Sequence, residues 1–213
     1  MAESETVLSR RDREREQHRV DILDAAERVF VRDGFATKIE SIAKEAEYSV
    51  GSLYNFFPSK DELFKNVLLR ISLLRIESVE KALPELLANP WAGLRIVCHL
   101  WLDHHLRHGD FLHVAHSLRF RADCSLLGPD DPVEHQLRAT AETYRALVMR
   151  YFAALVATPE ARPIDPAILF TAFEGYIRTS LFAFSRAHGG TDKGDVSALE
   201  ADVHKALCIL FRK

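Results

Sequence analysis

Three helix starts fall in quick succession between residues 37 and 62, and few folds can use them. Thr37 has Glu40 three positions on, Ser49 precedes Val50-Gly51-Ser52-Leu53-Tyr54-Asn55-Phe56-Phe57, and after Pro58 the run Ser59-Lys60-Asp61-Glu62 repeats the capping-box pattern. Helices this short do not persist alone in water and must be held by longer neighbours. One precedes them over about 17–33, with Ile22, Ala25, Ala26, Val29 and Phe30 at helical spacing and Gly34 as the stop. Another follows from residue 60, with Leu63, Val67, Ile71, Leu74 and Val79 in a stripe. Short helices at about 38–45 and 50–57 around a tight break have the spacing of a helix-turn-helix. The second is small and polar along one edge and aromatic along the other, with Phe57 assigned to the core. Such a helix can lie in a DNA major groove while its apolar side holds the domain together.

Charge restricts how such a reader would work. The chain of 213 residues has a formal net charge of −3, and residues 1–65 hold 11 Lys and Arg against 14 Asp and Glu. Attachment to DNA by bulk positive charge is excluded, so a few well-placed donors must carry the binding. Arg10, Arg11 and Arg13 alternate with Asp12, Glu14 and Glu16, as a solvated arm or as a groove-following one. No apolar run reaches the roughly 18 residues of a membrane span, and the N-terminus lacks a signal-peptide pattern. Cys98, Cys124 and Cys208 are odd in number and unpatterned, which fits a reducing cytoplasm. A cytoplasmic protein without a membrane partner is expected.

The rest of the chain reads as helices. The fourth is expected to end or kink at Pro84. Asn89-Pro90 opens a fifth, closed by Gly109, and Asp110 caps a sixth that ends near residue 120 before a loop at 121–130. Asp131-Pro132-Val133-Glu134 opens a seventh to about 156, Asp165-Pro166 an eighth ended by Gly189-Gly190, and Ser197 a ninth. No strand alternation of useful length occurs. The expectation is an all-α chain of about nine helices in three parts: a flexible arm or helix extension (1–16), a helix-turn-helix domain (17–65) and a helical domain (66–213).

The run ILDAAERVFVRDGF followed by KIESIAKEAEYSVGSLYNFFPSKDELF resembles the TetR family of bacterial transcriptional regulators. Beyond about residue 68 the likeness is one of helix layout. The resemblance implies a homodimer on palindromic double-stranded DNA, usually a repressor, released when a small molecule enters the C-terminal domain. Carried over position by position, it implies that Ser49, Val50, Gly51, Ser52, Tyr54 and Asn55 face DNA and that Thr37, Lys38 and Lys60 hold phosphates. Two positions depart from the family. Glu47 replaces the turn glycine and must either take a left-handed backbone, at about 1 kcal/mol, or reshape the turn. Val50 replaces a frequent lysine, and an apolar contact to a thymine methyl is its substitute.

Within that frame the expected effector pocket is lined by Trp101, His104, Phe111, His116, Phe120, Tyr144, Leu147, Phe170, Phe173 and Glu174, suiting a small apolar or amphipathic effector. Each aromatic has plain core packing as its alternative. An arginine facing the pocket, Arg119 or Arg178, would point to an acid. The dimer interface is expected from the last two helices: Phe173, Tyr176, Ile177, Leu181 and Phe184 on one, Leu199, Val203, Leu207 and Leu210 on the other. The alternative is that all of these are monomer core. Helices four and six are expected to relay ligand occupancy to the spacing of the two readers. The histidines at 99, 104, 105, 108, 113 and 116 are either a metal site or scattered packing residues, and no metal or cofactor is assigned. No nucleophile elbow, phosphate loop, zincin helix or dinucleotide fingerprint is present, so an enzyme is not expected. The competing reading is a DNA-binding regulator whose C-terminal domain binds a partner protein or metal. A cavity above roughly 300 Å³ would favour the effector over the partner.

Overall fold

The computed structural model describes residues 9–119, 131–187 and 196–213. Among them are eight helices: α1 (Arg10–Asp33), α2 (Ile39–Ala46), α3 (Val50–Phe56), α4 (Lys60–Ala88), α5 (Pro90–Arg119), α6 (Pro132–Val156), α7 (Pro166–Ala187) and α8 (Val196–Phe211). The all-α expectation holds. The only extended pairing among the described residues is an isolated bridge between Ala161 and Arg212. No described helix is long and apolar enough to cross a membrane.

Local chemistry sets most helix starts where the sequence places them. Ser49 Oγ accepts from the Ser52 amide at 3.0 Å, Ser59 Oγ from the Glu62 amide at 3.1 Å, and Asn89 Oδ1 from the Ala92 amide at 3.1 Å. Asp131 accepts from the amides of Val133 and Glu134, and Asp165 from those of Ala167 and Ile168. Two expectations are corrected and two open alternatives are narrowed. Residues 10–16 are a helix extension, because Ser9 caps α1 through the Asp12 amide and Arg10–Glu14 and Gln17–Asp21 contacts support the added turns. Thr37 does not cap α2; Lys38 occupies that position without a side-chain bond, so the box with Glu40 is out of register by one residue. Pro84 lies inside α4, where burial of Leu83 and Leu86 on either side offsets its missing amide bond. The expected fifth and sixth helices are one, α5, which continues through Gly109 and Asp110. A helical glycine costs about 1 kcal/mol, and the full burial of Phe111 just beyond it outweighs that. The ends expected near Phe120 and at Gly189-Gly190 lie outside the described residues.

Two compact units result, the first Met1–Ile71 with Asp110–Leu137, the second Ser72–Gly109 with Arg138–Lys213. Assignment of 110–137 to the first unit differs from the expected boundary at 65/66. Its cause is packing: Phe64 lies 4.9 Å from Phe30 and 4.8 Å from Phe111 between ring centroids, so the end of α5 joins the core of α1–α3. Lys65, nearly buried, pairs with Glu62 and with Asp131, the residue that also caps α6. The second unit packs Leu86, Leu94, Cys98, Trp101, Phe152, Phe173 and Leu207 into its own core. Gly93 permits this, since an added Cβ would lie 3.1 Å from the backbone of Leu86.

Glu47 takes the left-handed option, with φ 60° and ψ 31°, and the amides of Glu47 and Tyr48 close α2 on the carbonyls of Lys44 and Ala43. Glu47→Gly is therefore expected to stabilise the chain by about 0.5–1 kcal/mol, because the left-handed strain outweighs the entropy that glycine adds to the unfolded state. Thermal melting should rise by about 2–3 °C. A fall would mean that the Glu47 side chain contributes more than its backbone costs.

Candidate nucleic-acid interface and effector cavity

The reading head is built from the turn outward. Leu53 and Phe57 are buried, and they fix α3 so that Ser49, Gly51, Tyr54 and Asn55 are exposed, Tyr54 by 49%. Val50 and Ser52 are half-buried. The hydroxyls of Ser49 and Ser52 lie 2.8 Å apart, so each is partly committed to the other. A Cβ added at Gly51 would meet nothing nearer than Ser49 Oγ at 3.8 Å. Nothing within the fold, therefore, requires glycine there.

The positions expected to hold phosphates divide. Lys38 is exposed, but Thr37 is 8% exposed and offers little surface. Lys60 donates through Nζ to the carbonyls of Phe35 at 2.7 Å and Thr37 at 2.9 Å, and sits over the Phe35 ring at 4.6 Å. That ammonium is mainly a strut for the turn between α1 and α2, with one of its three hydrogens left to donate. Sequence reasoning missed Arg15 and Arg19. Their guanidinium groups lie 5.9 Å from the Phe56 ring and 5.5 Å from the Phe57 ring, and Arg19 also donates to Asn66 at 2.8 Å. Their spacing of four on α1, facing paired phenylalanines, is the signal that was available.

The second unit holds a cavity of about 210 Å³ between α4, α5 and α6, below the roughly 300 Å³ expected of an effector pocket. Trp101, His104 and Tyr144 of the expected pocket line it. The others do not. Phe111 is fully buried in the first unit's core, His116 is exposed there, and Phe120 is outside the described residues. Phe173 is fully buried in the second unit's core, with Leu147 and Phe170 packed around it. Glu174 stands behind the wall, 3.5 Å from Arg75. Sequence analysis missed the wall of α4, notably Leu74, Arg75 and Ser78. Arg75 interrupts an otherwise apolar stripe four residues after Ile71 and four before Val79, which was its signal. Arg178 is exposed.

The wall is poor in free carboxylate. Arg75 Nη2 donates to the Tyr144 hydroxyl at 2.6 Å with its guanidinium 3.7 Å from that ring. Asp103 is engaged by Arg107 at 2.7 Å on the exposed side. Burial, reinforced by the charge of Arg75, pushes His104 down to about 3; burial likewise holds His105 at about 4 although it donates to the Trp101 carbonyl. Both rings are neutral at pH 7. Among the described residues no group of three or more His, Cys, Asp or Glu is placed to hold a metal ion.

The expected dimer residues also divide. Phe173, Ile177, Val203 and Leu207 are buried within the chain and cannot form an outer face. Tyr176, Leu181, Phe184 and Leu199 are half-buried and Leu210 is 50% exposed. Phe182 and Ile209, which the expectation did not include, are 64% and 66% exposed.

Comparisons with known proteins agree with this geometry. Residues 22–67 match the family model described as bacterial regulatory proteins, tetR family. The chain is 35% identical over 104 residues to the HTH-type transcriptional repressor NicS of Pseudomonas putida, a match spanning 48% of this chain and 48% of that protein, about half of each. Transcriptional regulator FadR of Bacillus subtilis, solved with stearoyl-CoA, superposes with a TM-score of 0.66 at 18% identity, over 88% of this chain and 96% of that one. A transcriptional regulator from Saccharomonospora viridis solved with choline gives 0.68 at 18% identity, over 93% and 99%. These two likenesses concern the fold. The capped helix-turn-helix and its open α3 edge lie inside the matched segment, so residues 22–67 are similar in sequence and local structure to the matched part of the tetR family of bacterial regulatory proteins.

Proposed function

We propose that this chain is a transcriptional repressor that binds a palindromic operator as a homodimer and leaves it when a small molecule fills the second unit's cavity. The observation carrying the DNA-binding half is the edge of α3: Gly51, Tyr54 and Asn55 are exposed while Leu53 and Phe57 anchor the helix from behind. Asn55 is suited to base edges, Tyr54 to a phosphate, and Gly51 lets the backbone approach closely. Repression is supported by the name of the half-length relative. Neither ligand of the two solved relatives suits this cavity. A space of about 210 Å³ exceeds only modestly the roughly 150 Å³ that holds benzene, so a stearoyl chain does not fit. Arg75 in the wall opposes a cation such as choline, while Arg107 is neutralised there by Asp103.

Release follows from population shift. Two readers must sit roughly 34–36 Å apart to enter successive major grooves, and a ligand that favours another spacing moves the dimer off DNA. α4 carries both Leu63, Phe64 and Val67 of the first unit's core and Leu74, Arg75 and Ser78 of the cavity wall, so it is the element assigned to the relay, together with α5.

The test is Gly51→Ala, with operator fragments selected from random DNA by the wild-type protein. Alanine is the better helix former by about 1 kcal/mol, so the variant should fold at least as stably. Its affinity for the selected operator should fall about tenfold or more by gel shift, because a methyl group now separates helix and backbone. Unchanged affinity would remove α3 from the interface. Failure of the wild type to select any sequence at low salt would end the DNA-binding reading itself.

A further inference from the structure

One buried group in the second unit lacks a partner. The indole Nε1 of Trp101 has no hydrogen bond, while its side chain is 3% exposed and forms part of the cavity wall. An unmet buried donor is costly to a fold, and Trp101 belongs to the wall of an open space from which an acceptor can arrive. Two neighbours point the same way. Both contacts of Arg75, to Tyr144 and to Glu174, run through Nη2, which leaves Nε and Nη1 without an acceptor among the described residues. The Tyr144 hydroxyl accepts from Arg75 and so keeps its own proton to donate. The wall's carboxylate, Asp103, is bound by Arg107. Besides these donors the wall holds the neutral His104 ring and the Ser78 hydroxyl, each able to donate or accept, and the remaining surface of Leu74, Val79, Leu86, Val97, Leu100 and Val148 is apolar.

We infer that the effector is a compact carboxylate of about one ring in size, its oxygens taking the Trp101 indole N–H, the Arg75 guanidinium and the Tyr144 hydroxyl while its apolar body lies against α5 and α6. A carboxylate offers two oxygens and about four lone-pair sites, enough for all three donors. This rests on the effector-controlled reading above and deepens it.

Benzoate is the probe, with benzamide and benzylamine as its neutral and cationic counterparts. Benzoate is expected to raise the melting temperature with a dissociation constant on the order of 0.1 mM; benzamide should bind more weakly and benzylamine not at all. Trp101→Phe removes the orphaned donor and keeps an aromatic ring. It should leave the ligand-free protein at least as stable, yet weaken benzoate about tenfold or more by calorimetry. Tyr144→Phe serves as the second variant if Trp101→Phe misfolds, with the same sign. Absence of benzoate binding, or tighter binding of benzamide or benzylamine, overturns the inference. If benzylamine or benzamide instead binds and releases operator, effector control stands and the carboxylate assignment falls. If benzoate binds through Trp101 but operator stays bound, the assignment stands and effector control falls.

Discussion

Replacing Phe182 and Ile209 together with glutamate is expected to yield a folded monomer that has lost operator binding by about two to four orders of magnitude. Both side chains are about two-thirds exposed, on α7 and α8 respectively, and neither contributes to the core of its own chain. Burial of Phe173, Ile177, Val203 and Leu207 holds the two helices to the second unit without them. Fully covering a large apolar side chain contributes about 1.5–3 kcal/mol, and a symmetric interface uses each residue twice. Four carboxylates brought together across a two-fold axis would replace that gain with repulsion and desolvation. A single reader then retains only half-site affinity, since linking two sites acts through effective concentration and not through new contacts. Light scattering at micromolar concentration reads the mass, and gel shift reads the affinity. A double variant that stays dimeric would move the interface elsewhere. A wild type that is already monomeric would return these residues to ordinary surface.

Mild acid should destabilise this protein through two histidines beside the cavity. Histidine in an unfolded chain takes up its proton near pH 6.5, whereas His104 and His105 resist it down to about 3 and about 4. Above pH 7.5 both rings are neutral in either state, and they add nothing to the pH dependence. Between pH 6.5 and about 4 the unfolded chain binds protons that the folded chain refuses, so stability falls as pH drops through that window. Each ring alone would cost up to about 2 kcal/mol at pH 5. Because both rings stay neutral in the folded state at pH 5, the two losses add, to as much as about 4 kcal/mol. The melting temperature should therefore be about 8–15 °C lower at pH 5 than at pH 7.5. Asp33, Glu45 and Asp131, whose pKa values are held below the ordinary carboxylate range by Arg32, Arg28 and Lys65 respectively, add their own loss at lower pH. His104→Leu should flatten the slope between pH 7 and 5. A wild-type protein equally stable at pH 7.5 and 5 would mean that water reaches these rings.

The residues of the two candidate sites were unequally legible. Along α3 the cap, the buried Leu53 and Phe57, and the exposed Gly51, Tyr54 and Asn55 all follow from a helix of known start and 3.6-residue period. Lys60 was harder. Its position after the cap suggested a phosphate contact, but the carbonyls of Phe35 and Thr37, some 25 residues earlier, turn it inward. In the cavity the difficulty is greater. Phe111, Phe170 and Phe173 look like pocket aromatics in sequence, yet which aromatic fills space and which borders it depends on neighbours from other helices. The dimer residues failed similarly, because α7 is apolar around much of its circumference and periodicity alone cannot assign the inner side.

What the residues determined unaided lies within reach of a single turn: the helical class and the caps at Ser49, Ser59, Asp131 and Asp165. Such features depend on bonds between positions two to four apart, which are present in any arrangement of the chain. Continuation of α5 through Gly109, the inward strut of Lys60, and the unmet indole of Trp101 beside Arg75 were decided by the folded whole. Each turns on which distant side chains exclude water from it, and that balance of burial against local preference exists only once the helices have packed.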